Sequence, residues 1–443
     1  MKEEKHMQLK ARPEWFEYVL NNMKDAVLLT AKNGDLLNIN PAARELLGLN
    51  LHSGEKIWDA IPFVEENDAL IQLFIDGIMQ KRSVNSTVRY ISPEGQHFHL
   101  HVTLTCGQDS DGMILVVIHD LTSLTKVHSA FARYTSPEIA DYVLSTPEGE
   151  KQGGSSREVS ILMSDLRGFT AMSTQMSSED LITMLNHYFE IMAAVIRYFR
   201  GTVIEFLGDG IFVVLGAPLE LLDHASAAVA CAIDMQNATE EVNAWHREHG
   251  YPDLEMGIAV NSGTAVVGNI GSEQKMKYGC MGETVNLAGR LEAFSLGGEV
   301  CVSDATRRLL PQKLMVIEEN SFMPKGGSTL MKFYNIGGYG ESYTLSSFTR
   351  GIKWRPLSEA KELTYYLLEG KTVDPEPHTG TLTEVSTDRR FGLLVTEDAL
   401  QPLQNLLLKI SGIEVYAKVK DNEARGCRIG FTTNPEGFSE LIS

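Results

Sequence analysis

Short apolar runs separated by turn residues characterise the first 123 residues. The stretch AVLLTAKNGDLLNINPAARELLGL at 26–49 predicts a strand, a turn, a second strand and a helix that begins at Asn40 and Pro41. Two further strands are predicted at 97–105 and 112–122. Residues 1–123 therefore predict a small α+β domain of the size of a sensor module.

Three histidines, His97, His99 and His101, alternate with apolar residues in the run HFHLHV. Alternation places the three imidazoles on one face of the strand. A metal or haem site would use such a face, but a solvated polar face opposite a buried apolar one produces the same pattern. We favour the solvated face and assign no cofactor to this strand.

A helical linker is predicted for 124–156, where Ser136-Pro137 opens one helix and PEGEKQGGSS forms a flexible joint. Residues 157–340 then combine strands and helices in an α+β order. The predicted elements are a strand ending at Ser164-Asp165, an amphipathic helix stopped by Gly201, a hairpin turning at Gly208-Asp209-Gly210, and a long helix from Asp223 through Trp245.

The segment 345–443 has a third pattern. SEAKELTYYLL at 358–368 predicts a helix, and five short strands with polar turns follow it. Those strands are GTLTEVS, FGLLVTED, NLLLKIS, IEVYAKVK and CRIGFTT, and a short helix closes the chain. We expect a small β-barrel.

Composition narrows the classes of function. The 443 residues carry a formal net charge of −19, which argues against a nucleic-acid-binding protein. The five cysteines lack metal-ligand spacing and fit a reducing compartment. The start of the chain lacks a signal-peptide core, and the apolar run at 112–120 is too short to span a bilayer. We expect a soluble, cytoplasmic protein with no membrane insertion.

Two carboxylates mark the candidate chemistry. Asp165 ends one predicted strand and Asp209 lies at the tip of an adjacent hairpin, although Asp209 by itself also fits a simple turn residue. Together they predict a Mg²⁺ site beside a helix start at Phe169 and Thr170, whose backbone N–H groups would face phosphate. Alternation places Glu205 on the face of Val203 and Leu207, where it needs a metal, a cation or a donor-rich ligand.

Two families resemble parts of this chain. The strand pair, the Asn-Pro-Ala-Ala helix and the strand ending His-Asp-Leu-Thr at 119–122 resemble a PAS domain, which implies a sensory or dimerising module. The motifs SDLRGFT at 164–170, FLGDG at 206–210 and GETVNLAGRLE at 282–292 resemble those of class III nucleotidyl cyclases, and FARYTSPEI at 131–139 resembles the segment that precedes many bacterial catalytic domains. A ferredoxin-like catalytic fold is implied.

The cyclase resemblance implies a role for each matching residue. Asp165 and Asp209 would bind two Mg²⁺ or Mn²⁺ ions, Asn286 and Arg290 would orient the ribose and stabilise the α-phosphate, and Lys325 would neutralise pyrophosphate. In this family the aspartates and the Asn/Arg pair of one site come from different subunits, so a homodimer with two shared sites is implied. Thr264 departs from relatives that have a basic residue there.

Glu205 bears on the choice of purine. Guanylate-forming relatives carry Glu at this position and adenylate-forming relatives Lys, and a carboxylate accepts from guanine N1–H and N2–H₂ but repels adenine N1. GTP is therefore expected, with ATP as the alternative if Lys275 or Lys277 rather than Glu205 meets the base. A purely structural role, in which Glu205 pairs with one of these lysines, stays open as well. The second base-reading position is Gly279, which lacks a side chain, and a shift of one residue would bring in Cys280.

Two further alternatives stay open. A cyclase-shaped scaffold without turnover is disfavoured by the complete residue set. The spacing of the last five strands resembles a PilZ domain, whose ligand is cyclic di-guanylate, but Arg350, Arg355 and the run EVSTDR match its arginine and second motifs only in part.

Overall fold

The computed structural model describes residues 13–80, 82–106, 113–323, 330–346, 353–369, 372–435 and 437–442. The chain divides between Tyr134 and Thr135 into two compact units. No helix in the described ranges combines the length and the apolar character needed to cross a bilayer.

In the described part of the first unit, five strands form an antiparallel sheet in the order β2-β1-β5-β4-β3. Asn40 caps the second helix, because its Oδ1 accepts from Ala43 N at 2.9 Å. The predicted strands and this helix start are confirmed. The bounds are α1 Pro13–Asn22, β1 Ala26–Thr30, β2 Leu36–Ile39, α2 Pro41–Leu47, α3 Ile57–Ala60, α4 Asp68–Met79, β3 Val84–Ile91, β4 His97–Cys106, β5 Ile114–Asp120 and α5 Thr122–Tyr134.

The histidine strand β4 has the predicted two-faced character. Leu100 and Val102 are buried in the core of the sheet, whereas His99 and His101 are partly exposed. The His101 ring lies 3.2 Å from Thr87 Oγ1 on the neighbouring strand β3. The expected polar face is therefore present.

The second unit contains an α+β core. Its elements are α6 Pro137–Ser145, β6 Gly153–Leu166, α7 Phe169–Ser173, α8 Ser178–Tyr198, β7 Thr202–Leu207, β8 Gly210–Leu215, α9 His224–His249, β9 Met256–Ser272, β10 Lys275–Met281, α10 Glu283–Glu292, β11 Val300–Ser303, α11 Asp304–Leu309, β12 Leu314–Phe322, β13 Met331–Tyr339 and β14 Tyr343–Thr344.

The sheet of this core has the order β12-β13-β11-β9-β6-β8-β7. Within it, β6-α8-β7-β8-α9-β9 is a βαββαβ unit whose strands lie in the order β9-β6-β8-β7, which is the predicted ferredoxin-like arrangement. Apolar residues of α8 and α9 pack on one face of the sheet, and residues of α6 and α10 pack on the other. Asp165 and Asp209 lie at one end of these strands, beside the end of β6 and in the turn between β7 and β8.

A β-bulge in β7 changes the predicted position of Glu205. Val203 is opposite Val213, but the register shifts so that Glu205 is opposite Phe212. Val213 and Phe212 belong to clusters on opposite faces of the sheet. The expectation that Glu205 shares a face with Val203 is therefore wrong, because the bulge adds one residue and reverses the alternation.

The last part of the chain is a closed β-barrel. Strand β15 pairs with β17 on one side and with β19 on the other, which closes the ring β15-β17-β18-β21-β20-β19. All five predicted strands and the short final helix are confirmed. The bounds are β15 Trp354–Glu369, β16 Thr372–Val373, β17 His378–Ser386, β18 Phe391–Val395, β19 Asn405–Ile410, β20 Ile413–Glu423, β21 Gly426–Phe431 and α12 Phe438–Leu441.

The helix predicted at 358–368 is wrong, because this segment is part of β15. Leu363 and Tyr365 belong to the barrel core, whereas Glu362, next to Leu363 in the strand, is exposed. Pairing on both edges of this segment supplies the hydrogen bonds that close the barrel, and this tertiary pairing overrides a helix-favouring composition.

Candidate active site

Asp165 and Asp209 meet at one end of the catalytic sheet. Asp165 lies next to the end of β6, and Asp209 lies in the turn between β7 and β8, where Gly208 adopts φ +71°. The two carboxyl groups lie close enough for the charge of Asp165 to raise the pKa of Asp209, and Asp209 Oδ2 accepts from Leu166 N at 3.2 Å. A Cβ on Gly210 would lie 2.9 Å from Ser164 O, so the glycine permits this close approach.

The electrostatics of this pair suit a divalent cation. Burial, and then the charge of Asp165, raises the pKa of Asp209 to about 6, and burial likewise raises the pKa of Asp165. Two half-buried carboxylates in contact repel each other unless a positive charge lies between them. Carboxylate oxygens are the ligands that Mg²⁺ prefers, so the donor set fits the predicted metal.

Arg167 is a functional candidate that we did not single out from the sequence. Its guanidinium lies 3.4 Å from Asp165 Oδ2 and pairs with the carboxylate of Glu292, at the end of α10. It also donates to Ser295 Oγ at 2.9 Å. The signal available in the sequence was an arginine directly between the metal aspartate and the Gly-Phe-Thr turn.

The helix that follows this turn is short. Gly168 precedes α7 with φ +69°, Phe169 packs against the apolar core, and Thr170 is exposed. The first backbone N–H groups of α7 follow Asp165 within a few residues of the chain, and their phosphate-facing role stays a prediction.

Asn286 and Arg290 lie on the exposed face of α10, four residues apart. Neither side chain forms a hydrogen bond or ion pair with any residue in the described ranges. Among the described residues, Glu292 and Arg167 link the same helix to Asp165. No hydrogen bond or ion pair between described residues of one chain joins Asn286 or Arg290 to Asp165 or Asp209.

Glu205 is half-exposed and its carboxylate pairs with the ammonium of Lys277 on β10. This is one of the two lysine partners considered as the alternative to a guanine contact. Lys277 is itself about half-exposed, at 51%. A cation therefore compensates the charge of Glu205.

The remaining predicted positions differ in accessibility. Gly279 has space limited by Ile270, whose Cδ1 would be 3.2 Å from an added Cβ. Cys280 is buried in an apolar cluster, and burial raises the pKa of its thiol to about 12, so the thiol is part of the core. The Thr264 hydroxyl donates to the Glu158 carboxylate. Lys325 lies outside the described residues.

Comparison with known families agrees with the motifs. Residues 152–338 match the family of adenylate and guanylate cyclase catalytic domains, and residues 16–121 match the PAS fold. The chain therefore combines a PAS domain with a class III nucleotidyl cyclase catalytic domain, and both predicted resemblances are confirmed.

Individual relatives include proteins named for either purine. Adenylate cyclase 1 of Rhizobium meliloti is 30% identical over 210 residues, which are 47% of this chain and 32% of that protein. The crystal structure of the guanylyl cyclase Cya2 is 44% identical and covers 44% of this chain and 99% of its own, with a TM-score of 0.43. The adenylyl cyclase CyaB from P. aeruginosa is 30% identical, covers 41% and 95%, and has a TM-score of 0.39. This chain spans about a third of the length of the curated relatives it matches.

Proposed function

We propose that this protein is a homodimeric guanylate cyclase that converts GTP into 3′,5′-cyclic GMP and pyrophosphate, under the control of its PAS domain. The observation that carries the proposal is the convergence of Asp165 and Asp209 at the end of the catalytic sheet, where Asp209 Oδ2 accepts from the backbone N–H of Leu166, the residue next to Asp165. Those carboxyls would hold two Mg²⁺ or Mn²⁺ ions, which lower the pKa of the ribose 3′-hydroxyl and neutralise the triphosphate.

The chain's own residues then position the reacting groups. The ribose 3′-oxygen forms a bond to the α-phosphorus, the bond from that phosphorus to the pyrophosphate oxygen breaks, and the hydroxyl proton leaves to solvent. Asn286 orients the ribose, and Arg290 stabilises the negative charge that develops on the α-phosphate. Lys325 neutralises the departing pyrophosphate, and the turn at Phe169 and Thr170 faces the phosphates.

A shared site between two subunits is supported by what the single chain leaves unpaired. The exposed Asn286 and Arg290 have no partner in the described part of their own chain, so a second copy would bring them to its Asp165 and Asp209. Large apolar side chains at the end of β7 and on β9 and β10 are also exposed, as expected for surfaces that pair with another subunit. They are Phe206, Leu207, Val266, Met276 and Met281.

GTP is favoured over ATP by the charge of Glu205. Its ion pair with Lys277 joins two half-exposed side chains, and such pairs contribute at most about 1 kcal/mol. Guanine offers the carboxylate two N–H donors, which compensate for the loss of Lys277. Because Gly279 has no side chain to read the base, selection depends on Glu205 and Lys277. ATP is the second candidate, since a Lys277 ammonium that turned to the base would donate to adenine N1.

The activity is tested by incubating the purified full-length protein with Mn²⁺ and either GTP or ATP, and identifying the cyclic product by chromatography. We expect cyclic GMP from GTP and little cyclic AMP from ATP. Cyclic AMP as the main product would overturn the guanine assignment. No cyclic product from either nucleotide would favour a non-catalytic signalling scaffold.

Shared sites are tested by mixing inactive variants. Asp165→Ala and Arg290→Ala subunits should regain activity in the heterodimer, because one of the two hybrid sites is complete. The matched control mixes Asp165→Ala with Asp209→Ala, where both hybrid sites lack a metal ligand. Recovery of activity in both mixtures would contradict the shared arrangement. Absence of activity from both mixtures, with both heterodimers confirmed, would contradict it as well.

A further inference from the structure

The C-terminal barrel is joined to the catalytic domain through an ionic cluster on the outside of β20. Lys420 lies on the outer face of this strand, yet its side chain is only 4% exposed, because the catalytic domain covers it. Its ammonium contacts Glu299 Oε1 at 2.7 Å and Glu318 Oε2 at 3.8 Å. Arg428 on the next strand lies 3.6 Å from Glu318 Oε1. The barrel is therefore docked by buried charges.

The docking site is the segment that directly follows the catalytic helix α10. Arg390 of the barrel donates to Gly297 O at 3.3 Å. Gly430 packs so closely on Leu296 that a Cβ would overlap the leucine side chain. Glu299 ends this segment. The barrel thus contacts residues 293–299 along their length, immediately beyond the helix that carries Asn286 and Arg290.

Two cations meet at the C-terminal end of α10. Lys418 of the barrel is 4% exposed and donates from Nζ to Ala293 O, the cap residue of the helix. From the other side, Arg167 Nη2 donates to Glu292 O at 3.2 Å. The last carbonyl groups of a helix lack partners within the helix and carry partial negative charge, so cations there both satisfy and orient the helix end.

The opposite end of α10 is also tied to the sheet. Thr284 Oγ1 donates to Thr264 O at 2.6 Å, and Asn261 Nδ2 donates to Thr284 O at 2.8 Å. Between these two ends, Asn286 and Arg290 are exposed and have no described partner of their own. Their position therefore depends on how the helix is held, by its buried face at Ala288 and Leu291 and by the contacts at its two ends. Arg290 is only two residues from the end that Arg167 and Lys418 hold.

We propose that the C-terminal barrel is a positioning element for catalysis, in which Lys418 and Arg167 together fix the end of α10 and thereby the placement of Asn286 and Arg290. Arg167 also contacts Asp165, so the same helix end is connected to the metal-binding loop. The inference rests on the proposed cyclase function. It assigns a role to the barrel that does not require a ligand of its own.

Lys418 allows this role to be separated from stability. Burial, and then the nearby Arg167 charge, lowers the pKa of Lys418 to about 8, so its ammonium is not favoured by its surroundings. Replacing it with methionine keeps a side chain of similar length and leaves no unpaired charge behind. The fold should tolerate Lys418→Met, whereas the helix end loses one of its two cations.

The test compares Lys418→Met with Lys409→Met, a matched change in an exposed barrel lysine that pairs with Glu414 at 2.7 Å on the surface. For Lys418→Met we expect kcat to fall about ten-fold while KM for the nucleotide changes less than about two-fold, since Arg290 acts mainly in the transition state. Lys409→Met should retain wild-type kcat. If Lys418→Met only destabilised the fold, it would lower the fraction of active protein without faster amide hydrogen exchange in α10.

Hydrogen–deuterium exchange supplies a readout independent of turnover. Amides at the end of α10 and in 293–296 should exchange faster in Lys418→Met than in the wild type or Lys409→Met, at an unchanged melting temperature. Glu292→Gln, which weakens the Arg167 contact from the other side, should produce the same local change. Equal exchange and equal kcat in Lys418→Met and wild type would overturn the inference. If the wild type cyclises no nucleotide, the proposed function fails. Unchanged amide exchange at the end of α10 in Lys418→Met would separately refute the helix-capping role of Lys418.

Discussion

Breaking the buried ion pair between Lys420 and Glu299 should destabilise the second unit strongly. The two side chains are 4% and 8% exposed, and the ammonium contacts both carboxylate oxygens, at 2.7 and 2.9 Å. Lys420→Met leaves Glu299 buried without its main partner. Loss of one member of a buried pair costs about 3–5 kcal/mol, because the remaining charge stays desolvated. For a unit of this size, about 4 kcal/mol corresponds to a melting temperature lower by about 6 °C.

Differential scanning calorimetry of the full-length protein measures this effect. The double variant Lys420→Met/Glu299→Gln removes both charges. It keeps a side-chain oxygen that can accept from Leu296 N, as Glu299 Oε2 does at 2.8 Å in the wild type. It should recover most of the loss. A decrease of less than about 1 kcal/mol in the unfolding free energy of Lys420→Met would show that the pair behaves like a solvated surface pair. It would refute the conclusion that a buried ion pair joins the barrel to the catalytic domain.

The difference in unfolding free energy between wild type and Lys420→Met should depend on pH with a defined sign. The Lys420 charge holds the pKa of Glu299 below its ordinary 4.5, so this stability contribution is present above pH 4.5 and is lost as the pH falls through the lower folded pKa. Glu299 and Glu318 raise the pKa of Lys420 above 10.5, so its contribution is lost only at higher pH. Without Lys420, burial raises the pKa of Glu299, so the variant can protonate this carboxyl as the pH falls. The difference between wild type and Lys420→Met should therefore shrink in acid and grow as Glu299 of the variant ionises.

Three further changes test other parts of the account. Lys277→Met frees Glu205 and should raise the ratio of kcat/KM for GTP over ATP up to about five-fold in steady-state assays. The same change at Lys275, two residues away, should leave this ratio unchanged. An unchanged ratio in Lys277→Met would mean that the ion pair does not compete with the base. Asp209→Asn should abolish turnover and Mn²⁺ binding measured by electron paramagnetic resonance, yet melt slightly higher because carboxyl repulsion is removed; a lower melting temperature would contradict that electrostatic description. Gly430→Val should overlap Leu296 and loosen the barrel, seen as faster proteolysis before the barrel; wild-type resistance would contradict the close packing.

Local patterns predicted most of the secondary structure. The turn at Gly208-Asp209-Gly210, the cap at Asn40 and the alternating strands depend on neighbours in the chain, and each is present. Strand 354–369 was mistaken for a helix in part, because only distant strands reveal that both of its edges are paired. Propensity alone does not contain that information.

The candidate site shows the same division. Asp165 and Asp209 could be brought together from strand ends and a hairpin, since topology determines their distance. The pairing of Glu205 with Lys277 depends on a bulge that reverses one side chain, and the bulge has no distinct signal in an ordinary apolar run. The links from Arg167 to Glu292 and from Lys418 to Ala293 join residues 125 positions apart in each case, beyond the reach of any local pattern.

The most direct test of the central claim is a competition assay. Full-length protein is supplied with equal concentrations of GTP and ATP in excess Mn²⁺, and the two cyclic products are quantified from the same reaction by mass spectrometry. The account predicts cyclic GMP in large excess, and a Glu205→Lys variant with that excess reduced or reversed. Cyclic AMP in excess from the wild type, or an unaltered ratio in Glu205→Lys, would contradict it.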